Sequence, residues 1–200
     1  MYKIAITGKA NSGKSTVGKF IMKELRKQLK DKPHVSCKYI AFADPIKAMI
    51  RLMFPTLPEK YLTGASNLRS SVIPDAFTNG KPLTVRQLHL DLGTAVGRAY
   101  KGTIWLEAFD YAFEKAKNED VVIVSDVRFK NEFDHLKKLN FYQIRLLRDD
   151  PNDTSVKSNH ASEVEQDVIR DDEFDFVLRN DGTLKDLKNE VVKIVNQIIL

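Results

Sequence analysis

The sequence predicts an α/β fold in which a parallel sheet is flanked by helices. Short apolar runs alternate along the 200 residues with segments whose apolar residues recur every three or four positions. The first pattern is typical of strands and the second of amphipathic helices, so their alternation indicates βαβ units. The run VVIV at residues 121–124 is apolar throughout, which is typical of a strand buried on both faces of a parallel sheet.

Five segments carry the strand pattern. The first leads directly into Gly8, and the run at 121–124 is followed closely by Asp126. The predicted strands are residues 3–7, 37–43, 121–124, 141–147 and 174–178.

Helices are predicted between and after these strands. Pro45 suits the first turn of the second helix, and Pro55 ends it. Thr84 and Gln87 have the spacing of a capping box at the start of the third. The predicted helices are residues 14–29, 45–54, 85–96, 105–116, 129–139 and 184–198. Residues 56–83 are expected to be mostly irregular, and the long connection at 149–173 is typical of a lid.

Composition argues against several classes of protein. Charged residues make up 30% of the chain, and no apolar run approaches the roughly 20 residues of a membrane span. The single cysteine, Cys37, cannot form an internal disulfide, and the four histidines make no zinc pattern. The amino-terminal residues MYKIAITG do not resemble a secretory signal. We therefore expect a single-domain, cytoplasmic protein.

Positive charge is concentrated in the first half of the chain. Residues 1–100 carry 17 Lys and Arg against 6 Asp and Glu, whereas residues 101–200 carry 15 against 21. A basic half indicates affinity for phosphates, either on nucleotides or on nucleic acid. Much of this charge follows the predicted first helix, where a solvated outer face is the simpler interpretation. The basic residues of this run are Lys19, Lys23, Arg26, Lys27, Lys30 and Lys32.

A phosphate-binding loop motif lies between the first strand and the first helix. Residues 8–15 read GKANSGKS and match G-x-x-x-x-G-K-[ST] in full. Such a loop wraps its N–H groups around phosphate oxygens, and the helix N-terminus adds partial positive charge. We expect Lys14 to reach the β- and γ-phosphates of a nucleoside triphosphate and Ser15 to ligate Mg²⁺. The expected nucleotide-binding residues here are Gly8, Lys9, Ala10, Asn11, Ser12, Gly13, Lys14, Ser15 and Thr16.

The end of the strand at 121–124 offers two candidate catalytic residues. Asp126 follows a buried strand at the edge where open α/β sheets bind their ligands. It could hold Mg²⁺ through a water molecule or orient an acceptor, or it could instead cap the next helix. Arg128 could neutralise charge on phosphates. The guanine-reading pattern N-K-x-D and the pattern D-x-x-G are both absent from the sequence, which favours a small-molecule kinase over a GTPase switch.

Six motifs, in their order along the chain, resemble the bacteriophage-type deoxynucleoside monophosphate kinase family. They are ITGKANSGKST, FADPIK, TVRQLHLDLGT, SDVRFKNE, HASE and NDGT, and they span nearly the whole chain. The resemblance implies a P-loop, nucleoside monophosphate kinase-like three-layer α/β/α fold with a five-stranded parallel sheet and a lid insertion. It also implies ATP as co-substrate, Mg²⁺ as the metal and a (deoxy)nucleoside monophosphate as the acceptor.

The resemblance assigns further residues to catalysis and to ATP. Arg170, in the lid, would close over the transferring phosphoryl group and act with Lys14, Asp126 and Arg128. The turn at 180–182 would hold the adenine ring through Asn180 and Gly182. A plain turn before the last helix is the alternative for these two residues.

The resemblance also implies an acceptor-binding region at residues 44–105. Arg69 and Arg86 would clamp the acceptor phosphate, because a guanidinium matches a phosphate bidentately. Gly93 would line the same pocket or would instead permit close helix packing. The full implied set is Asp44, Lys47, Arg69, Arg86, Asp91 and Gly93, with Glu163 from the lid.

Two alternative functions stay open. One is a P-loop kinase for another phosphorylated small molecule, such as phosphomevalonate or dephospho-coenzyme A. The other is a nucleotide-regulated, nucleic-acid-binding protein that uses the basic half, although the sequence shows none of the usual nucleic-acid-binding motifs. We expect small-molecule nucleotides as partners, with neither a membrane nor nucleic acid, and a homodimer stays open.

Overall fold

The structure is a computed structural model that describes residues 1–29, 34–64, 66–148 and 161–200. The chain divides into two compact units, one formed by Met1–Ala41 with Ala112–Leu200 and the other by Phe42–Tyr111. Whether both belong to one domain, as the length suggests, stays a prediction. Among the described residues, no helix combines the length and the apolar character that crossing a membrane requires.

The strands and helices alternate along the chain largely as predicted. The strands are β1 (Tyr2–Thr7), β2 (Cys37–Tyr39), β3 (Val72–Thr78), β4 (Lys81–Thr84), β5 (Val121–Val127), β6 (Tyr142–Leu147) and β7 (Phe176–Arg179). The α-helices are α1 (Lys14–Gln28), α2 (Asp44–Met53), α3 (Lys60–Thr63), α4 (Val85–Leu90), α5 (Gly97–Tyr100), α6 (Ile104–Lys115), α7 (Lys130–Lys138), α8 (Ala161–Val168) and α9 (Leu184–Ile199). Two 3₁₀ helices, Ser66–Ser70 and Asp171–Glu173, and a π-helical segment, Asp91–Val96, complete the described elements.

A five-stranded parallel sheet forms the centre of the first unit, which confirms the predicted α/β fold. Its strand order is β2–β5–β1–β6–β7, so the amino-terminal strand is the middle one. Helices α1 and α9 pack together and bury their apolar residues against this sheet. The shared core includes Ile4, Ile6, Val17, Ile21, Leu25, Ile123, Ile144, Leu187, Val191 and Val195.

Strand β5 confirms the buried strand predicted at 121–124 and extends it to Val127. All four predicted residues are completely buried. The register against β1 shifts near the end, because Ala5 lies opposite Val124 whereas Thr7 lies opposite Val127. Strand β5 therefore carries one extra residue in a β-bulge, and bulges of this kind often re-aim side chains beside active sites. Strand β2, in contrast, ends at Tyr39 and is shorter than predicted.

The expectation that residues 56–83 are mostly irregular is wrong. This stretch contains α3, a 3₁₀ helix and the antiparallel hairpin β3–β4 of the second unit. The hairpin turns at Asn79 and Gly80, whose φ angles of 50° and 72° are those of a left-handed turn. The register of β3 against β4 is irregular between Val72 and Phe77. This irregularity weakens the alternation of apolar and polar residues by which β3 could have been recognised in the sequence.

The predicted helix at 85–96 is not continuous. Thr84 caps α4 by accepting a hydrogen bond from the backbone N–H of Gln87 at 3.1 Å, which confirms one half of the predicted capping box. The side-chain amide of Gln87 donates to Asp91. The chain then passes through the π-helical segment into α5. A side chain at Gly97 would place its Cβ only 2.2 Å from Cζ2 of Trp105, so this backbone packs directly on the indole ring. Trp105 is buried, as expected of a core residue.

Only part of the predicted lid falls within the described residues. Residues 149–160 lie outside them, and the described part consists of α8 and the 3₁₀ helix Asp171–Glu173. The side chain of Glu163, a predicted acceptor contact in α8, also lies outside the description.

Candidate phosphate-binding and transfer site

The loop between β1 and α1 approaches its neighbours so closely that its two glycines are required. A Cβ on Gly8 would lie 2.5 Å from the carbonyl oxygen of Leu146. Gly13 has a φ of 101°, and a Cβ there would lie 2.7 Å from Nδ2 of Asn180. Since neither position tolerates a side chain, the glycines of the motif fix the shape of the loop.

The start of α1 is suited to an anion. No side chain caps the helix, and its first turn contains no acidic residue. The first-turn N–H groups and the helix dipole therefore attract negative charge. Within the part of the chain that the structure describes, the buried hydroxyls of Thr7 and Ser12 have no hydrogen-bond partner. This donor-rich loop fits the phosphates predicted to bind there.

The side chain of Lys14 folds over the loop. Its ammonium donates hydrogen bonds to the carbonyl oxygens of Gly8 and Lys9, both at 2.6 Å. Lys14 thus places its charge on the loop itself, and its contact with the β- and γ-phosphates stays a prediction.

Side chains from later parts of the chain hold the loop. Asn180, at the end of β7, donates from its amide to the carbonyl oxygen of Ser12 at 2.8 Å. Arg148, after β6, donates to the carbonyl oxygen of Asn11 at 3.2 Å. Asn11 itself has a φ of 60°, and the contact therefore supports a strained turn.

Helix α8 is joined to the loop through an ion pair. The ammonium of Lys9 lies 3.0 Å from a carboxylate oxygen of Asp167, and both side chains are largely exposed. On the same helix, Glu165 accepts a hydrogen bond from the backbone N–H of Lys130 at 3.1 Å. Helix α8 therefore contacts both the phosphate loop and the start of α7.

The end of β5 presents the two predicted catalytic residues. Asp126 is half-buried within the bulged part of β5, and Arg128 is half-buried in the turn that follows it. The turn is held by Glu132, whose carboxylate accepts hydrogen bonds from the backbone N–H groups of Arg128, at 2.8 Å, and Phe129, at 3.2 Å. Since Glu132 is only 3% exposed, these charge-assisted bonds are shielded from water.

A cluster of charges lies beside this turn. Lys130 contacts Asp134 at 2.5 Å and Glu173 at 3.2 Å, and the hydrogen bond that Lys130 donates to Asp134 is the main reason why the pKa of Lys130 is raised. The pKa of Glu173 is lowered, first by the backbone N–H of Arg170 and then by Lys130. The ion pair between Lys130 and Glu173 therefore ties α7 to the segment after α8.

Arg170 and the turn at 180–182 have other contacts than those predicted. The Arg170 side chain is 77% exposed and pairs with Asp172. Asn180 contacts the phosphate loop. Thr183 and Asp186 form a capping box at the start of α9. A turn that leads into a capped helix is the alternative that the sequence left open for residues 180–182. The catalytic role of Arg170 and the adenine contacts of Asn180 and Gly182 stay predictions.

The predicted acceptor residues that the structure describes all lie in the second unit. Asp44 and Lys47 form an ion pair of 2.8 Å in the first turn of α2. Asp91 accepts a hydrogen bond from the side-chain amide of Gln87 at 2.7 Å. A Cβ on Gly93 would lie 3.0 Å from Cδ1 of Ile46, which shows close packing of α2 against the π-helical segment.

The two predicted acceptor arginines differ in exposure. Arg69 is half-buried in a 3₁₀ helix, whereas Arg86 is exposed in the first turn of α4. Binding of an acceptor by these residues stays a prediction.

Sequence reasoning missed three residues of this site. Glu132 closes the SDVRFKNE motif, so its position four residues after Arg128 was an available signal. Arg148 directly follows a predicted strand at the ligand-binding edge of the sheet, which was a second signal. Nothing in the sequence singles out Asp167.

The sheet, the glycine loop and the lysine at the start of α1 define a P-loop nucleotide-binding kinase. The sequence model of the family described as deoxynucleotide monophosphate kinase matches residues 59–191. The chain belongs to this family. It is thus a phosphotransferase acting on nucleotides or other small molecules.

One curated relative and two solved structures are similar to this chain over nearly its whole length. A putative deoxynucleotide monophosphate kinase of Acanthamoeba polyphaga mimivirus is 28% identical over 207 residues, covering 98% of this chain and 97% of the relative. Among solved structures, a gluconokinase from Sinorhizobium meliloti 1021 is 14% identical with a TM-score of 0.44, covering 98% and 93% of the two chains. A dephospho-CoA kinase from Campylobacter jejuni is 14% identical with a TM-score of 0.47, covering 98% and 96%.

Proposed function

We propose that the protein transfers the γ-phosphoryl group of ATP to a deoxynucleoside monophosphate. The observation that carries the proposal is the family match, which includes much of the second unit as well as β5 to α9. The phosphate loop with Lys14 on its carbonyl oxygens supports a nucleoside triphosphate as donor. The predicted acceptor residues in the second unit support a second phosphorylated substrate.

The proposed reaction exchanges one P–O bond for another. The bond from the γ-phosphorus to the β,γ-bridging oxygen breaks, and a bond to an oxygen of the acceptor phosphate forms. This oxygen is already deprotonated at neutral pH, so no general base is needed. Catalysis then consists of alignment and neutralisation of charge, for which Lys14, the N–H groups of α1, Arg128 and Arg170 are the candidates.

The residues present fit a magnesium ion. The Ser15 hydroxyl is exposed in the first turn of α1, and the Asp126 carboxylate lies at the bulged end of β5, the strand next to β1. Both are oxygen donors, and Mg²⁺ in such sites is held by one or two protein oxygens, phosphates and water. When bound, the ion would neutralise charge on the transferring phosphates. Ser15 would ligate it and Asp126 would orient one of its waters.

We propose that the acceptor binds to residues of the second unit. Arg69 and Arg86 would bind its phosphate through their planar guanidinium groups. Asp44 and Lys47 would contact it from α2, and Asp91 and Gly93 from the π-helical segment. The role of Glu163 stays a prediction from the resemblance.

A coupled assay of ADP formation tests the proposal. ATP and Mg²⁺ are supplied with dAMP, dGMP, dCMP, dTMP, modified pyrimidine deoxynucleotides or the corresponding ribonucleotides. We expect turnover with at least one deoxynucleotide and, since transfer needs the loop, none with a Lys14→Ala variant. The panel also contains phosphomevalonate and dephospho-coenzyme A, and turnover with either of these alone would overturn the proposed acceptor class.

A further inference from the structure

A second cluster of positive charge lies on α1, apart from the phosphate loop. Lys19, Lys23 and Arg26 are exposed and follow one another at intervals of four and three residues, so they form one stripe along the helix. At 1.5 Å per residue, the stripe begins about 7 Å and ends about 18 Å from Lys14 along the helix axis. It is therefore separate from the phosphate loop.

The charges of this stripe are not neutralised by neighbouring carboxylates. In the described ranges of the chain, none of the three forms an ion pair, whereas the adjacent Lys27 pairs with Glu24 at 3.3 Å. Three like charges on one face repel each other and destabilise the helix slightly. A bound anion would relieve this repulsion.

The stripe is exposed and lines a cavity that is widely open to solvent. The cavity has a volume of about 480 Å³ and is also lined by Met22 of α1 and by Cys37 and Tyr39 of β2. Strand β2 is at one edge of the sheet, and the cavity lies between this edge and α1. Its volume falls in the range of small-molecule sites, about 300–1,000 Å³. The interpretation of these basic residues as a solvated helix face is therefore incomplete.

The remaining groups of the cavity are neutral and partly aromatic. Burial raises the pKa of the Cys37 thiol to about 11 and also raises the pKa of Tyr39, so neither adds negative charge near neutral pH. The positive charge of Arg26 lowers the pKa of Cys37, and the negative charge of Glu119 raises it. The ring of Tyr39 packs over Gly18 of α1, since a Cβ on Gly18 would lie 3.4 Å from Cε1 of Tyr39. Tyr39 is nevertheless 46% exposed. An aromatic face is thus accessible beside three cations.

We propose that this cavity is a second nucleotide site, in which Lys19, Lys23 and Arg26 bind the phosphates of a nucleoside triphosphate and Tyr39 contacts its base. Long basic side chains on neighbouring turns can converge on one polyphosphate. The cations span about 10 Å of the helix, which is enough for one polyphosphate and too short to follow a polynucleotide. Aromatic stacking beside the phosphates favours a nucleotide over inorganic polyphosphate.

Equilibrium dialysis with radiolabelled ATP, up to millimolar concentrations, tests the number of sites. We expect the full chain to bind two ATP molecules, and K19A/K23A/R26A to bind one. A Lys14→Ala variant weakens the loop site and should retain the cavity site. A matched control, K185A/K188A/K193A, removes three positive charges from α9 and should still bind two. Binding of one ATP by the unmodified chain, or equal losses in both triple variants, would overturn the proposal.

Cys37 provides a local readout because it is the single cysteine of the chain. In the Lys14→Ala protein at pH 8, saturating ATP should slow N-ethylmaleimide modification of Cys37 at least fivefold, and K19A/K23A/R26A should abolish the protection. Adenosine should protect little, and pyrophosphate less than ATP. Equal protection by pyrophosphate and ATP would overturn the base contact with Tyr39. Stronger protection by a single-stranded oligonucleotide than by ATP would overturn the nucleotide as ligand.

Discussion

At the scale of single residues, Lys14 is the most sensitive test of the phosphate loop. Its ammonium donates hydrogen bonds to two carbonyl oxygens of the loop. We therefore expect Lys14→Ala to lower kcat at least about 1000-fold, since the charge on the transferring phosphoryl group loses its main protein partner. The free energy of unfolding should change by no more than about 1 kcal/mol. Steady-state kinetics and urea unfolding measure the two quantities, and wild-type turnover in a folded variant would contradict the assignment.

Two arginines, one directly before the predicted lid and one within it, should differ in their kinetic effects. Arg148 supports the backbone of Asn11, so we expect Arg148→Ala to raise the KM for ATP about tenfold with a smaller change in kcat. Arg170 is predicted to contact only the transferring group, so Arg170→Ala should lower kcat about 100-fold and leave this KM nearly unchanged. The corresponding lysine variants keep the charge and lose the planar fork, which separates the two contributions. An unchanged kcat in Arg170→Ala would remove Arg170 from the catalytic residues.

The thiol of Cys37 should be unreactive near neutral pH. Burial raises its pKa to about 11, so its thiolate fraction at pH 8 is small. We expect the rate of alkylation by iodoacetamide to be about 100-fold below that of a free cysteine at pH 8. It should keep rising with pH beyond pH 10, whereas the rate for a free cysteine levels off near its pKa of about 8.5. A plateau reached by pH 9 would contradict the raised pKa.

At the scale of elements, the turn between β5 and α7 depends on Glu132. Removing its carboxylate takes this acceptor from one buried and one part-buried N–H group, so Glu132→Ala should cost about 2–3 kcal/mol in the free energy of unfolding. It should also lower kcat, because Asp126 and Arg128 lose their support. Glu132→Gln retains an acceptor oxygen and should cost less on both measures. Urea unfolding and the kinase assay are the measurements, and equal stability of wild type and Glu132→Ala would refute the role.

Elements were predictable where burial determines the residue pattern. The run at 121–124 is buried on both faces, and such a strand must be apolar throughout. The hairpin β3–β4 was missed because Pro74 and Pro82 are atypical of strands. The pair Asn79–Gly80 was the available signal, since both residues adopt a positive φ.

The π-helical segment could not have been predicted from the sequence. Leu88, Leu92 and Val96 recur at the spacing of one α-helical face, but Val96 is exposed. The cause is tertiary, because Gly97 packs on the Trp105 ring and Gly93 accepts the indole hydrogen bond at 2.7 Å. Local periodicity contains no information about either contact.

At the scale of the whole molecule, nucleotide binding should stabilise the fold. At an ATP concentration 100 times the Kd, the ligand adds about 2.7 kcal/mol to the free energy of unfolding. For a chain of this length we expect the Tm to rise by about 5–10 °C. Differential scanning calorimetry with and without ATP measures the shift, which should be smaller in Lys14→Ala because only the proposed cavity site still binds. An equal shift in both proteins would mean that the phosphate loop does not determine ATP affinity.

The phosphate-loop motif of the site could be predicted from the sequence, whereas the residues that hold the loop in place could not. The loop, Asp126 and Arg128 lie at the carboxyl edge of the sheet, where the rule for open α/β sheets expects a ligand. Asn180, Arg148 and Asp167 reach the loop from positions more than 130 residues away in sequence. Contacts over such separations depend on the finished fold, so no local pattern records them.

The position of β1 in the sheet has a consequence for how the protein is made. A ribosome synthesises β1 long before the two strands with which it pairs, β5 and β6, which begin at Val121 and Tyr142. Strand β1 therefore cannot pair until β5 and β6 have been synthesised. The contact of Asn180 with the loop forms later still, because Asn180 follows both strands in sequence. Pairing between strands so distant in sequence slows folding, because the chain loses the entropy of closing the long loop before the stabilising contacts form. The loop thus reaches its nucleotide-binding shape only after β5, β6 and Asn180 have been synthesised.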